Sequence, residues 1–171
     1  MIPFELQPTL EGKLLRARPL KNEDFDELFA VARDPLIWEQ HPSHDRYQEK
    51  VFRDFFRAAM ESGGAFLVLD VKTRYAIGSS RFVNLTADEV EIGYTFFARR
   101  CWGHTYNKEL KHLMIAHAFR FRETALFVIG EDNGRSRAAI EKIGAALDPE
   151  APRDGAVRYR LAKAAFGAKG F

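Results

Sequence analysis

The residues best placed to do chemistry lie in one short stretch, Phe97-Ala98-Arg99-Arg100-Cys101-Trp102-Gly103-His104-Thr105-Tyr106-Asn107-Lys108-Glu109. A strand ends there, a loop carrying Gly103 follows, and a helix starts. A helix start offers backbone N–H groups with no partner inside the helix, together with the positive end of the helix dipole. That combination holds a phosphate or pyrophosphate. Arg99 and Arg100 add full positive charge, and Gly103, lacking a Cβ, lets an anion approach the main chain. An ordinary strand-to-helix turn also uses one glycine, so the segment alone leaves both readings open. Upstream, Glu91 sits on the strand that feeds the loop. It is a candidate general base, or else a surface glutamate or one that only orients a cation. Downstream, Ser136 begins a later helix and is a candidate acid, or a serine that bonds only to local backbone.

Several elements must position these groups. Leu14 to Leu20 reads as a strand, and Asn22 as the N-cap of a helix whose apolar stripe is Phe25, Leu28, Phe29 and Ala32. Asp34-Pro35 stops that helix. Arg46 to Glu61 is a second helix, with Val51, Phe52, Phe55, Phe56 and Ala59 on its apolar face, ended by Ser62-Gly63-Gly64. Strands follow at Phe66–Val71, Tyr75–Asn84 and Glu89–Phe97. Alternation in the last puts Val90, Ile92, Tyr94 and Phe96 on one face, with Glu91, Gly93 and Thr95 on the other. A long helix then runs to about Arg122. Thr124–Gly130 is a buried strand, Ser136 to Ile143 a helical stripe ended by Gly144, and Ala156–Ala162 a closing strand. Meander strands followed by a βαβ unit predict an α/β protein built on one mixed sheet with helices on it.

Bulk properties set limits. A chain of 171 residues fits one domain, residues 1–171, able to bury a sizeable core. Its 26 Lys+Arg against 24 Asp+Glu give a net charge of +2, too even to predict nucleic acid or an anionic membrane as partner. Cys101 is the single cysteine, which excludes an intrachain disulfide. Met1 to Leu10 lacks a basic region leading into an apolar run, and no stretch approaches the roughly 20 apolar residues of a membrane span. The expectation is a cytoplasmic protein without a signal peptide. No Cys/His cluster has metal-ligand spacing, so no metal is expected.

The motifs, taken together, resemble a known family. Arg100-x-x-Gly103-x-Thr105 is similar to the Q/R-x-x-G-x-G/A pyrophosphate loop of the GNAT superfamily of acetyltransferases. Trp102-Gly103, Asn107, Glu109 and Lys111 resemble the W-G-x-x-x-N-x-E-x-K variant seen among relatives of ribosomal-protein N-terminal (Rim-type) acetyltransferases. Glu91-Ile92-Gly93-Tyr94 resembles the E-I-G-Y strand of that subgroup, and Asn133-x-x-Ser136 with Glu141-Lys142-Ile143-Gly144-Ala145 its N-x-x-S…E-K-x-G-A segment. Leu15-x-x-Arg18-Pro19-Leu20 and Asp24 match its opening. The resemblance spans about residues 13 to 162. Two departures stand out: Thr105 replaces the usual Gly or Ala, and Ile140 occupies the place where many GNAT enzymes carry a tyrosine general acid.

The resemblance implies a GNAT fold whose central mixed sheet splays at the cofactor strand. It implies acetyl-CoA as the acetyl donor and direct transfer to a primary amine, either a protein N-terminus or a small molecule. The backbone of Phe96, Phe97 and Ala98 would pair with the pantetheine arm. Arg100, Cys101, Gly103, His104, Thr105, Tyr106 and Asn107 would surround the pyrophosphate. Asn133 would contact the pantetheine, Ser136 would lie near the sulfur, and either Arg135 or Arg137 would meet the ribose phosphate. Glu91 would serve as base and, with Trp38, border the acceptor. His41 and His44 lie in the same region. His117 reads as a core histidine and Cys101 as structural, since direct transfer needs no covalent step. A homodimer is compatible with the family. A weakly catalytic acyl-CoA-binding module is the competing reading, kept open by Ile140. A dinucleotide-binding domain is disfavoured, because no G-x-G-x-x-G is present and the strand order is wrong for it.

Overall fold

The computed structural model describes residues 3–150 and 154–168, so residues 1–2, 151–153 and 169–171 of the expected domain lie outside the description. In chain order the strands are β1 (Leu10–Glu11), β2 (Leu15–Pro19), β3 (Ala65–Asp70), β4 (Ala76–Val83), β5 (Glu89–Phe97), β6 (Thr124–Gly130), β7 (Ala146–Asp148) and β8 (Ala156–Ala162). The helices are α1 (Phe25–Ala32), α2 (Glu49–Glu61), α3 (Tyr106–Ala118), α4 (Gly134–Lys142) and α5 (Lys163–Ala168). The strands form one sheet in the order β1-β2-β3-β4-β5-β6-β8-β7. Every neighbouring pair is antiparallel except β5 and β6, which α3 joins as a parallel βαβ unit. The protein is therefore a mixed α/β fold with one mixed sheet flanked by helices.

Local chemistry explains most boundaries. Gly144 takes a φ of 94° just after α4 and lets the chain leave the helix. At the first helix the sequence reading needs correction. Asn22 lies inside a one-turn 3-10 helix (Asn22–Asp24), and it is the Asp24 carboxylate that accepts the Lys21 amide at 2.8 Å. Arg18 grips the same carboxylate through two bonds of 2.8 and 2.7 Å, which fixes the R-P-L-x-x-x-D string as structural. α2 starts at Glu49 rather than Arg46, and α3 ends at Ala118 rather than near Arg122. Strands β1 and β7, with two and three residues, are too short for alternation to reveal.

The sheet separates two cores. One gathers Leu110, Met114, Ile115 and Ala118 of α3 with Val90, Ile92, Phe97 and Phe127 of the sheet. The other gathers Leu28, Ala32, Phe52, Phe55 and Phe56 with Leu67 and Phe96. Thus Ile92 and Phe96, expected on one face, pack into different cores. The cause is a bulge: β4 pairs Arg81 with Gly93 but Ser79 with Phe96, so β5 carries one extra residue. Tyr94 absorbs it with a φ of 55°, a left-handed conformation rare for an aromatic residue. Beyond the bulge every side chain of β5 changes face. Thr95 consequently reaches α3 instead of sharing a face with Glu91.

Candidate functional site

The bulge coincides with a break in the sheet. β5 pairs with β6 only from Glu89 to Glu91, opposite Thr124 to Leu126. β4 nonetheless holds β5 out to Phe97, and β8 holds β6 out to Gly130. The two strands therefore diverge, and a cavity of about 770 Å³ opens between them. Its walls come from β5 (Ile92 to Phe97), β6 (Phe127 to Gly130), the loop and first turns of α3, α4, and the segment before α2 that carries Trp38, His41 and Arg46.

At one end the cavity is bounded by the loop and start of α3. Gly103 holds a φ of 73°, and a Cβ there would point into open space. α3 begins at Tyr106 with Thr105 as N-cap and no side-chain cap, so its first amides are left to solvent or ligand. Gly103, His104, Thr105, Asn107 and Cys101 all line the cavity. Among the described residues Asn107 Oδ1 is buried without a hydrogen-bond partner, an orphan acceptor in the cavity wall. Cys101 is buried, which pushes its thiol pKa up and away from nucleophile behaviour.

The side chains of three expected cofactor contacts lie outside the cavity wall. Tyr106 donates to Asp70 Oδ2 at 2.6 Å, and that bond pushes its own pKa up to about 12. Ala98 donates its amide to Ile77 O at 2.8 Å. Arg100 is exposed. None of the three is part of the cavity wall. Phe96 and Phe97 do line it. On α4, Asn133 Oδ1 caps the helix by accepting the Ser136 amide at 3.2 Å, and both residues line the cavity. Of the two arginines, Arg135 faces the cavity, stacked 3.8 Å from the Trp102 ring centroid. Arg137 instead bonds Tyr159 and the Glu131 carbonyl.

Glu91 sits in the closed part of the sheet, 8% exposed, with Asn84 Nδ2 donating to its Oε2 at 2.7 Å. Burial raises its pKa, against the opposing pull of Asn84 and Arg158. Its Oε1 lies close over Gly93, a residue of the cavity wall, where a Cβ would come within 3.3 Å of it. Trp38 is buried in the wall, with its indole N–H on Ala32 O at 2.7 Å. His44 contacts Trp38 O through its Nδ1 at 3.2 Å. His117 is a core histidine, its Nε2 2.8 Å from Glu5 O.

One residue stands out that sequence motifs had placed only as a letter in a string. Lys111 is buried on α3, lines the cavity, and donates to Thr95 Oγ1 at 2.7 Å. Thr95 meets Ser80 Oγ at 2.7 Å, and Ser80 donates to Gly93 O at 3.3 Å, so a hydrogen-bonded chain holds the amine in place. Burial without a carboxylate partner pushes its pKa down to about 7. A lysine in an amphipathic helix reads as solvated, and only the bulge that delivers Thr95 to α3 marks it otherwise. Glu109, two positions earlier, has a structural role: its carboxylate accepts the amides of Lys13, Leu14 and Leu15 at 2.8 to 3.0 Å. Among the described residues no group of three or more His, Cys, Asp or Glu side chains is placed to hold a metal ion, and no helix is long and apolar enough to cross a membrane.

Comparison with known proteins agrees with this geometry. A GCN5-related N-acetyltransferase from Brucella melitensis superposes with a TM-score of 0.84 at 18% identity, over 97% of this chain and 83% of that one. An acetyltransferase from Agrobacterium tumefaciens superposes at 0.71 with 25% identity, over 91% and 95%. A Vibrio cholerae protein, provisionally described as a ribosomal-protein-serine acetyltransferase, superposes at 0.73 with 17% identity, over 90% and 97%. A search of curated protein sequences finds no match. The acetyltransferase (GNAT) domain family matches residues 15–146. With most of its length under that match, and with the split sheet above an uncapped helix start, the chain belongs to the GNAT acetyltransferase family.

Proposed function

We propose that this protein, as one domain, transfers the acetyl group of acetyl-CoA directly to a primary amine. The observation that carries the reading is the divergence of β5 from β6 above the start of α3, where Gly103 and Thr105 border the cavity. Acetyl-CoA supplies the activated acyl group as a thioester. The amides at the start of α3 suit its pyrophosphate, with Gly103 leaving room for close approach. The open edge of β5 at Phe96 and Phe97 suits an extended, amide-containing arm. Asn107, Asn133 and Arg135 complete the polar lining.

Transfer needs a neutral amine and a proton for the leaving thiolate. Glu91, its pKa raised by burial, takes the amine proton through water near Gly93. Lys111 takes over the acid role that Ile140 cannot fill. Its Nζ is fixed by Thr95, and with a pKa of about 7 it carries a proton it can release at neutral pH. Ser136, whose backbone N–H is held by Asn133 and which lines the cavity, would offer its hydroxyl as a second donor to the leaving thiolate. Within the family the motif resemblance favours the Rim-type subgroup, and with it a protein N-terminus among the acceptors. No metal takes part in this scheme, and the compartment is cytoplasmic.

The test is calorimetric titration with acetyl-CoA, NAD and ATP, followed by thiol release over a panel of amines and N-terminal peptides. Acetyl-CoA alone should bind, and at least one amine should release thiol. Binding without turnover of any amine would leave an acyl-CoA-binding module instead.

A further inference from the structure

Beside Phe55 of α2, one buried and one half-buried cation, Arg81 and Arg46, have no ion-paired carboxylate among the described residues. Arg81 is 4% exposed, and among the described residues its Nη2 is buried with no hydrogen-bond partner. Arg46 lines the cavity, with its Nη1 3.2 Å from His41 Nε2 and its guanidinium 5.5 Å from the Trp38 ring centroid. Both guanidinium groups lie over the Phe55 ring, at 4.6 and 4.9 Å from its centroid, which puts the two charges within about 10 Å, one Debye length at about 0.1 M ionic strength. Arg81 also stacks on Tyr94, at 3.9 Å. The bulge puts it there, because its left-handed residue is the one that turns this ring toward α2.

Buried charges are ordinarily paired. Here the residues facing the pair are neutral or cationic. Phe55 of α2 and Tyr94 of β5 carry no carboxylate. Burial and the neighbouring arginine push the His41 pKa down to about 4, so that side chain is neutral. Among the described residues neither guanidinium is ion-paired with a carboxylate, and the exposed Asp45 acts on Arg46 through its charge without contact. A planar guanidinium with free donors is matched by a carboxylate.

We propose that the acceptor of this acetyltransferase is an amine that bears a carboxylate, which Arg46 contacts at the cavity wall while Arg81 reinforces the charge from behind Tyr94. This inference rests on the acetyl-transfer reading and names its substrate class. The carboxylate belongs either to a free amino acid or to an acidic side chain beside a peptide N-terminus.

Matched pairs test it: β-alanine against its amide, and two amidated peptides differing only by aspartate or asparagine at the second position. Acetyl-CoA affinity is measured alongside. The wild type should acetylate one acidic member with kcat/KM about ten- to a hundredfold above its neutral partner. Which pair shows the preference identifies the source of the carboxylate. In Arg46→Gln the ratio of kcat/KM for the acid to that for its neutral partner should fall to about one, mainly through a raised KM for the acid. In Arg81→Gln it should shrink. A ratio taken within one variant is insensitive to partial unfolding. Equal use of acid and amide by the wild type, or an equal loss on both in Arg46→Gln, overturns the proposal while leaving acetyl transfer intact. No binding of acetyl-CoA overturns both.

Discussion

At the scale of single residues, Lys111 separates function from stability. A buried amine with no carboxylate beside it costs folding energy when charged. Its folded pKa of about 7 lies below the ordinary lysine value, so between those two pH values the unfolded chain binds more protons than the folded one. Stability therefore rises with pH across that window. Lys111→Met should be more stable than the wild type at pH 7, by about 1–2 kcal/mol, with the gap narrowing toward pH 10. Urea denaturation at several pH values reads this directly. The same variant should keep its affinity for acetyl-CoA and lose about 100- to 10,000-fold in turnover. Unchanged turnover would remove the acid role. Glu91 gives the complementary signature. Its pKa is raised by burial, so the acid limb of the rate profile should fall above the ordinary carboxylate range. Glu91→Gln should abolish that limb, measured as kcat/KM against pH.

At the scale of elements, the site is made by one extra residue in β5. Gly78 of β4 faces that irregularity, where a Cβ would sit 2.1 Å from Phe96 O. Main chain cannot swing aside as a side chain can. Gly78→Ala should therefore cost about 1–3 kcal/mol by denaturant unfolding and disturb cofactor affinity with it. Gly103 is the contrasting glycine, since its Cβ direction is open. Gly103→Arg should leave the fold standing, at a backbone cost of about 1–2 kcal/mol, yet abolish acetyl-CoA binding in a calorimetric titration by filling the phosphate end. These two positions also show what the sequence discloses. The loop at Arg99–Tyr106 was legible because glycine, helix start and basic residues sit together in the chain. The faces of Tyr94, Thr95 and Phe96 were not, because period-two alternation has no symbol for a bulge, and nothing in Gly93-Tyr94-Thr95 marks the tyrosine as left-handed. Tyr106 hides its side-chain partner for a different reason. It occupies the first position of α3, but its partner Asp70 lies 36 residues away in sequence.

At the scale of the whole molecule, parallel strands that part after three residue pairs leave the β5 edge facing the cavity without a neighbouring ladder. Such an edge is held by β4 alone and should open more readily than the doubly paired strands around it. Cofactor binding then acts on the folded state as a whole. A ligand at a hundred times its dissociation constant stabilises by about 2.7 kcal/mol if it binds only the native form, which for a chain of this size raises Tm by about 5–10 °C. Acetyl-CoA should produce that shift, and NAD and ATP should not. The gain should also be local. Amide exchange should slow most in β5 from Ile92 to Phe97 and at the start of α3, with little change in β2 and β3, which are already paired on both sides. A shift in Tm with protection spread evenly over the sheet would mean that the ligand stabilises the molecule from some other surface. Protection confined to the split would mean that the diverging strands are the element completed by the ligand.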